Sequence, residues 1–251
     1  MKTKLQSLIF AVIITLFIII FFSGCVFFSI DSIAGNRVTA KGSQETYQID
    51  VGQFNRIRIE GQCDVRYYSA FSETVTLEIQ QNVREYFIVE VQNNVLIIRS
   101  TRNISFASVK SPVLTVSTPI LNRVSIQGAG SFTALDKITA DSLDFLVSGA
   151  STVAAELDVK RLSVNVSGAG NLNLSGEART ANFVLSGAGY IRALELQTAD
   201  STIVITGAGT VNISCSDNLS INASGAGSVR YRGSPIRNVT TIGVFSVSQV
   251  N

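Results

Sequence analysis

The stretch Val164-Asn165-Val166-Ser167-Gly168-Ala169-Gly170-Asn171-Leu172-Asn173-Leu174 places apolar residues at every second position on both sides of a Gly-Ala-Gly step. Such alternation is the signature of a strand with one buried face, and glycine within it marks a bend or a close approach of backbones. Working outward, the module recurs as Gln127-Gly128-Ala129-Gly130, Ser148-Gly149-Ala150-Ser151, Ser186-Gly187-Ala188-Gly189, Thr206-Gly207-Ala208-Gly209 and Ser224-Gly225-Ala226-Gly227. Successive first glycines lie 21, 19, 19, 20 and 18 residues apart, and eleven of the chain's 19 glycines fall in these six copies, which chance does not produce. Fainter copies stand at Gly243-Val244-Phe245-Ser246 and at Gly61-Gln62-Cys63. Before each first glycine come apolar pairs such as Val124 and Ile126 or Phe183 and Leu185, and after it pairs such as Phe132 and Ala134 or Leu172 and Leu174. Every copy repeats the same inward-outward order.

The period selects the fold. A unit of about 19 residues at about 3.3 Å each closes a coil of roughly 60 Å perimeter, and coils stack about 4.8 Å apart with each backbone bonded above and below. A leucine-rich repeat needs apolar spacings of three and four, which no segment shows, and a propeller blade needs about twice this period. The expected architecture is all-β: a parallel β-helix, right-handed because connections between parallel strands nearly always are, with a β-rich N-terminal cap. Roughly four inward side chains per coil contribute about 1.5–3 kcal/mol each before the ordering entropy of the coil is subtracted, so a lone coil is unstable and a stack is required. Glycines stacked at one corner permit a sharp bend with positive φ and let neighbouring backbones approach with no Cβ between them. A phosphate-cradling loop is the functional alternative. It is disfavoured because the copies lack a following Lys and a helix N-terminus.

The ends of a stack must be closed. Strand signals at residues 54–60, 75–80 and 87–99 make the segment before the repeat a cap, with Asn93-Asn94 as a hairpin turn and Pro112 and Pro119 bracketing another strand. At the other end the pattern loosens around Arg230, Arg232, Gly233 and Pro235.

The N-terminus reads as an export signal. Lys2 and Lys4 precede an uncharged run over residues 8–22 that is apolar except for Thr15 and leads into Phe22-Ser23-Gly24-Cys25. This resembles the bacterial lipobox, in which a cysteine after two small residues receives lipid and becomes the mature N-terminus; Phe22 departs from the usual Leu. Val26 rather than Asp follows, which by the usual sorting rule directs a lipoprotein of a double-membrane cell to the outer membrane. An uncleaved membrane anchor over residues 8–30 is the alternative, since about 20 apolar residues span a bilayer. Both place the body outside the cytoplasm. The expected organisation is residues 1–24 as signal peptide, 25–45 as lipidated N-terminus and polar tether, 46–121 as β-rich cap and first coils, and 122–251 as the repeat. Cys63 and Cys215 then lie where disulfides are permitted, and pairing and two free buried thiols stand equally.

Together, residues 54–65 and 75–99, Pro119-Ile120-Leu121, the repeats and the closing Tyr231-Arg232-Gly233-Ser234-Pro235 resemble the auto-transporter adhesin head GIN domain family of exported bacterial proteins. The resemblance implies a right-handed β-helix on an exported, often lipidated protein. Its adhesin label rests on fold analogy, which does not establish function.

Composition narrows the chemistry. The chain has no His, which excludes Ser/His and Cys/His pairs, a His base and His-ligated zinc. Beyond the two lysines at the N-terminus, 18 basic residues balance 18 acidic ones, so the body lacks the charge that nucleic-acid binding requires. One acid follows each of the first five corners, at Asp136, Glu156 or Asp158, Glu177, Glu195 and Asp217, with Lys137, Lys160, Arg161, Arg179 and Arg192 nearby. Stacked carboxylates could hold calcium, but a mixed-charge solvated turn face is favoured because unpaired like charges at that spacing repel. No cofactor, metal or catalytic residue is expected, and Cys25, as the lipidation site, is the single site residue. The expected role is a non-catalytic, envelope-anchored module for binding, adhesion or structure, with membrane contact through lipid at Cys25 and a glycan or protein partner. Alternatives are a polysaccharide lyase-like enzyme on the same scaffold, marked by a groove where Lys or Arg meets two or more acids, and an envelope-stress or signalling accessory.

Overall fold

The computed structural model describes residues 36–101, 104–107 and 110–250. The body within Arg37–Asn251 contains nearly all of them. The export signal and Cys25 lie outside the described residues. Strands β1 (Asn36–Thr39), β2 (Gln44–Ile49), β3 (Arg56–Glu60), β4 (Asp64–Ser69), β5 (Thr74–Gln80), β6 (Phe87–Gln92), β7 (Val95–Ser100), β8 (Ile104–Ala107) and β9 (Val113–Thr118) come first. The repeat follows as β10 (Arg123–Gln127), β11 (Ser131–Ala134), β12 (Ile138–Val147), β13 (Thr152–Val166), β14 (Asn171–Leu185), β15 (Ala188–Arg232) and β16 (Ile236–Gln249). Among the described residues one helical segment occurs, the 3-10 stretch Gln81–Tyr86.

From β10 onward every strand pairing is parallel, and the ladder forms a β-helix of about seven turns. The register is the one that alternation requires. Ile57, Val124, Phe145, Val164, Phe183 and Ile203 form one inward column, and Ile59, Ile126, Val147, Val166, Leu185 and Ile205 form another. All twelve are buried, so the core is a shaft of stacked apolar side chains.

The faint copy at Gly61 is the first coil. β10 stacks on β3 and β11 on β4, although 67 residues separate Gly61 from Gly128. The excursion between them builds the cap. β7 and β9 continue the ladder below β3 and β4 in parallel, and β6, β5 and β2 then pair antiparallel and end the parallel stack. Asn93 and Asn94, with φ of 51° and 60°, make the two-residue turn between β6 and β7, the positive pair that this hairpin geometry demands. β1 and the start of β2 fall in the segment that the sequence assigns to the tether. They form strands instead, with β1 against β8 and β2 against β5.

Glycine at the corner has a steric cause more than a conformational one. Gly168 and Gly187, in the middle of the stack, do not adopt the positive φ expected of them. An ideal Cβ on Gly168 would instead overlap the carbonyl oxygen of Gly149 one coil below. Positive φ appears at other corners, as at Gly225 (116°). The sequence loosens at residues 230–235, yet the stack does not end there: β16 adds a further turn, in unbroken register from Asn218↔Ile236 to Tyr231↔Gln249.

Candidate functional site

At a second corner the chain steps outward, inward and outward again on four successive coils. The triplets are Thr139-Ala140-Asp141, Asp158-Val159-Lys160, Glu177-Ala178-Arg179 and Gln197-Thr198-Ala199. Register stacks Thr139, Asp158, Glu177 and Gln197 in one column and Ala140, Val159, Ala178 and Thr198 in the next. Because the middle members are small and turned toward the core, they form the floor of a trough of about 610 Å³ that crosses the coils. One wall carries the carboxylates Asp158 and Glu177; the other carries Asp141, Lys160 and Arg179.

The charges in this trough are only partly neutralised. Lys160 Nζ reaches Asp141 on the neighbouring coil at 2.7 Å, with both side chains more than 70% exposed. The hydrogen bond from Lys160 and its positive charge hold the Asp141 carboxyl below the usual carboxylate range. Asp158, Glu177 and Arg179 form no ion pair among the described residues, so two stacked carboxylates and one guanidinium face the open trough. The floor offers no spare hydroxyl. Thr198 donates to the Ser214 carbonyl (2.6 Å) and accepts from Ser201 (2.7 Å).

The sequence reading named Asp158, Glu177, Lys160 and Arg179, and the structure brings these four together. It does not bring together the whole row of acids. Glu156 and Glu195 lie on either side of Ser175, whereas Asp158 and Glu177 are followed by Gln197. Glu156 is taken by Lys137 at 2.9 Å, which raises the Lys137 pKa, and Glu195 by Arg232 at 3.4 Å. Asp136 accepts from the backbone N–H of Ser69. Among the described residues no group of three acids or cysteines is placed to hold a metal ion. Asp141 was missed because it stands 13 residues after Gly128, farther along the coil than the acids that follow the other corners, and falls in the Lys160 column instead of the Asp158 column. Its signal was the small floor residue repeated at Ala140, Val159 and Ala178.

The two thiols of the described residues and Tyr67 are sequestered. Cys63 and Cys215 are both free and buried. Burial pushes the Cys63 thiol up to about 12, while Cys215 donates to the carbonyls of Ala199 and Asn218. Tyr67 is buried, its hydroxyl donating to the Thr118 carbonyl. Tyr190 is covered by the Arg192 guanidinium at 4.2 Å, so its ring is not a bare sugar platform.

Together these features define an all-β solenoid whose side carries a mixed-charge trough over a floor of small residues. The chain belongs to the family described as "Putative auto-transporter adhesin, head GIN domain", whose model matches residues 53–235. Among solved structures it is similar to a putative adhesin from Bacteroides fragilis, at 23% identity and TM-score 0.80, over 85% of this chain and 100% of that one. It is similar also to a putative adhesin from Parabacteroides merdae, at 22% identity and TM-score 0.63, over 86% of this chain and 99% of that one. A putative lipid binding protein from Parabacteroides distasonis matches at 19% identity and TM-score 0.67, over 86% of this chain and 100% of that one. At these identities the likeness shows the fold alone. None of the curated proteins matches the chain. Among the described residues no helix is long and apolar enough to cross a membrane.

Proposed function

We propose that the protein is a non-catalytic binding module of the bacterial envelope, anchored by lipid on Cys25, whose β-helix engages a polar partner along the trough. Family membership supports export and an adhesive role. The observation that carries the reading is the trough itself, an open rail crossing four coils with both signs of charge at its rim and small residues at its base. An extended glycan fits it best, because sugar hydroxyls can donate to Asp158 and Glu177 and accept from Arg179 while the chain lies on Val159 and Ala178. A protein segment is the competing partner.

The enzyme reading keeps one observation in its favour: Lys160 and Arg179 converge with Asp141, Asp158 and Glu177. Against it, Lys160 is held by Asp141 in full solvent, whereas a catalytic base works from a water-excluding site that tunes its pKa. A glycan array followed by calorimetry on the full chain tests both readings. Binding that falls at least tenfold in Asp158→Asn with Glu177→Gln, without product formation, supports the module. Release of unsaturated uronates from a polyuronate would overturn it. Anchoring is tested separately, since Cys25→Ser is expected to abolish lipid labelling.

A further inference from the structure

The last turn of the stack differs from every turn below it. β16 pairs with β15 on one side, and among the described residues nothing pairs with its other edge. Along that edge, residues 238–250 contain no Asp, Glu, Lys, Arg or Pro, the residues by which natural proteins blunt exposed strands. Arg237 folds back onto the turn below, stacked over the Tyr231 ring at 5.4 Å and donating to its hydroxyl. No bulge interrupts the pairing that presents the edge.

Side chains at two outward positions make the same point. The residue before the corner glycine is Gln127, Ser148, Ser167, Ser186, Thr206 and Ser224 in successive coils, then Ile242; the residue after it is Ala six times, then Val244. Register confirms the equivalence, pairing Ser224 with Ile242 and Ala226 with Val244. Large apolar side chains therefore replace small or polar ones only in the terminal turn, where Ile242 and Val244 are 69% and 80% exposed. The apolar shaft also opens here, through Val239, Phe245 and Val247.

We propose that this end docks on the same end of a second copy, forming a two-fold dimer in which β16 pairs antiparallel with its counterpart about Gly243. The edge is self-complementary about that residue. Six or seven strand residues lie on each side of it, so an axis through the corner lays one arm on the other. Ile242 then meets Val244 of the partner subunit, Val239 meets Val247 of the partner subunit, and Arg237 meets Gln249 of the partner subunit. No like charges oppose each other. The corner remains free of side chains, because glycine meets glycine, as in the turns below. Such a contact is closed, with each patch used once, so assembly stops at two. Backbone hydrogen bonds across the joined edges supply the attraction, and the apolar residues exclude water from it.

The test is a charge swap on the full chain in density-matched detergent, read by sedimentation equilibrium. The native chain is expected to be a dimer. Ile242→Lys and Val244→Glu, each altering an exposed side chain, are expected to run at half that mass with unchanged strand circular dichroism. Mixing the two variants is expected to restore a dimer, because Lys at 242 then faces Glu at 244 across the axis. Should either charged variant fold poorly, Ile242→Thr with Val244→Ala, the residue types of the lower turns, is expected to weaken the dimer at least tenfold. A monomeric native chain, a dimer that survives Ile242→Lys, open-ended fibres, or a mixture that stays monomeric would each overturn the proposal.

Discussion

The two ends of the stack solve the same problem differently. At the N-terminal end the parallel ladder passes through β7 and β9 into antiparallel β6, β5 and β2, and Phe54, Val83 and Phe87 there are buried in the same apolar core. At the C-terminal end the last described turn pairs only with the turn below among the described residues, and its own residues are almost all exposed. A solenoid turn draws its stability from its neighbours, so a residue's energetic weight depends on how many turns sandwich it. Within a single chain the middle of the stack is therefore the most sensitive place and the last turn the least, unless a second copy covers it.

The largest expected contrast is a cavity made in each place. Phe183→Ala, in a fully buried column, is expected to cost about 3–5 kcal/mol in urea denaturation. Phe245→Ala, half-buried on the last turn, is expected to cost about 1–2 kcal/mol when both substitutions are compared in the Ile242→Lys background, where the turn is not covered by a second copy. Equal losses would mean that the last turn is as well sandwiched as the middle, which breaks the contrast. Corner glycines sharpen it next. Gly168→Ala forces a Cβ onto the Gly149 carbonyl and is expected to cost roughly 1–3 kcal/mol. Gly52→Ala, which meets nothing within 4 Å, should stay within about 0.5 kcal/mol.

A smaller effect belongs to the cap hairpin. Asn93→Val puts a β-branched residue at a φ of 51° and is expected to cost about 1–2 kcal/mol in the same melt, whereas Asn93→Gly should be tolerated. The smallest concerns the trough. The Asp141 carboxyl has a lowered pKa in the folded chain, so what its pairing adds is present above the unfolded-state pKa and disappears as pH falls through the folded-state value. Both partners are exposed, so the observable is the titration itself. A carbon-detected NMR titration should place the Asp141 midpoint below the ordinary carboxylate range, and Lys160→Gln should bring it back.

Legibility followed distance along the chain. The inward columns were readable because Val164, Val166, Leu172 and Leu174 declare their face within a few residues. The Asn93-Asn94 turn was readable because the demand on φ is local. The trough was only half readable. Its charged residues fell at a recognisable spacing, but concavity arises from Ala140, Val159, Ala178 and Thr198 stacking across four coils, and no single coil displays it. Of the two reasons the sequence offers for glycine at the corner, the close approach of backbones holds at Gly168, where the constraint comes from the turn below, and the positive φ does not.

By itself the sequence determined the coil, its period, its inward face and the glycine corner, since each is repeated and set by neighbours in the chain. Tertiary structure alone decided that the faint copy at Gly61 stacks directly beneath Gly128 across a 67-residue excursion, that β5 and β6 cap antiparallel, and which charges share a trough. Those outcomes depend on which backbone edges find each other in space. Hydrogen bonding between strands is indifferent to side-chain identity, so one-dimensional patterning carries the face of a strand but not its partner.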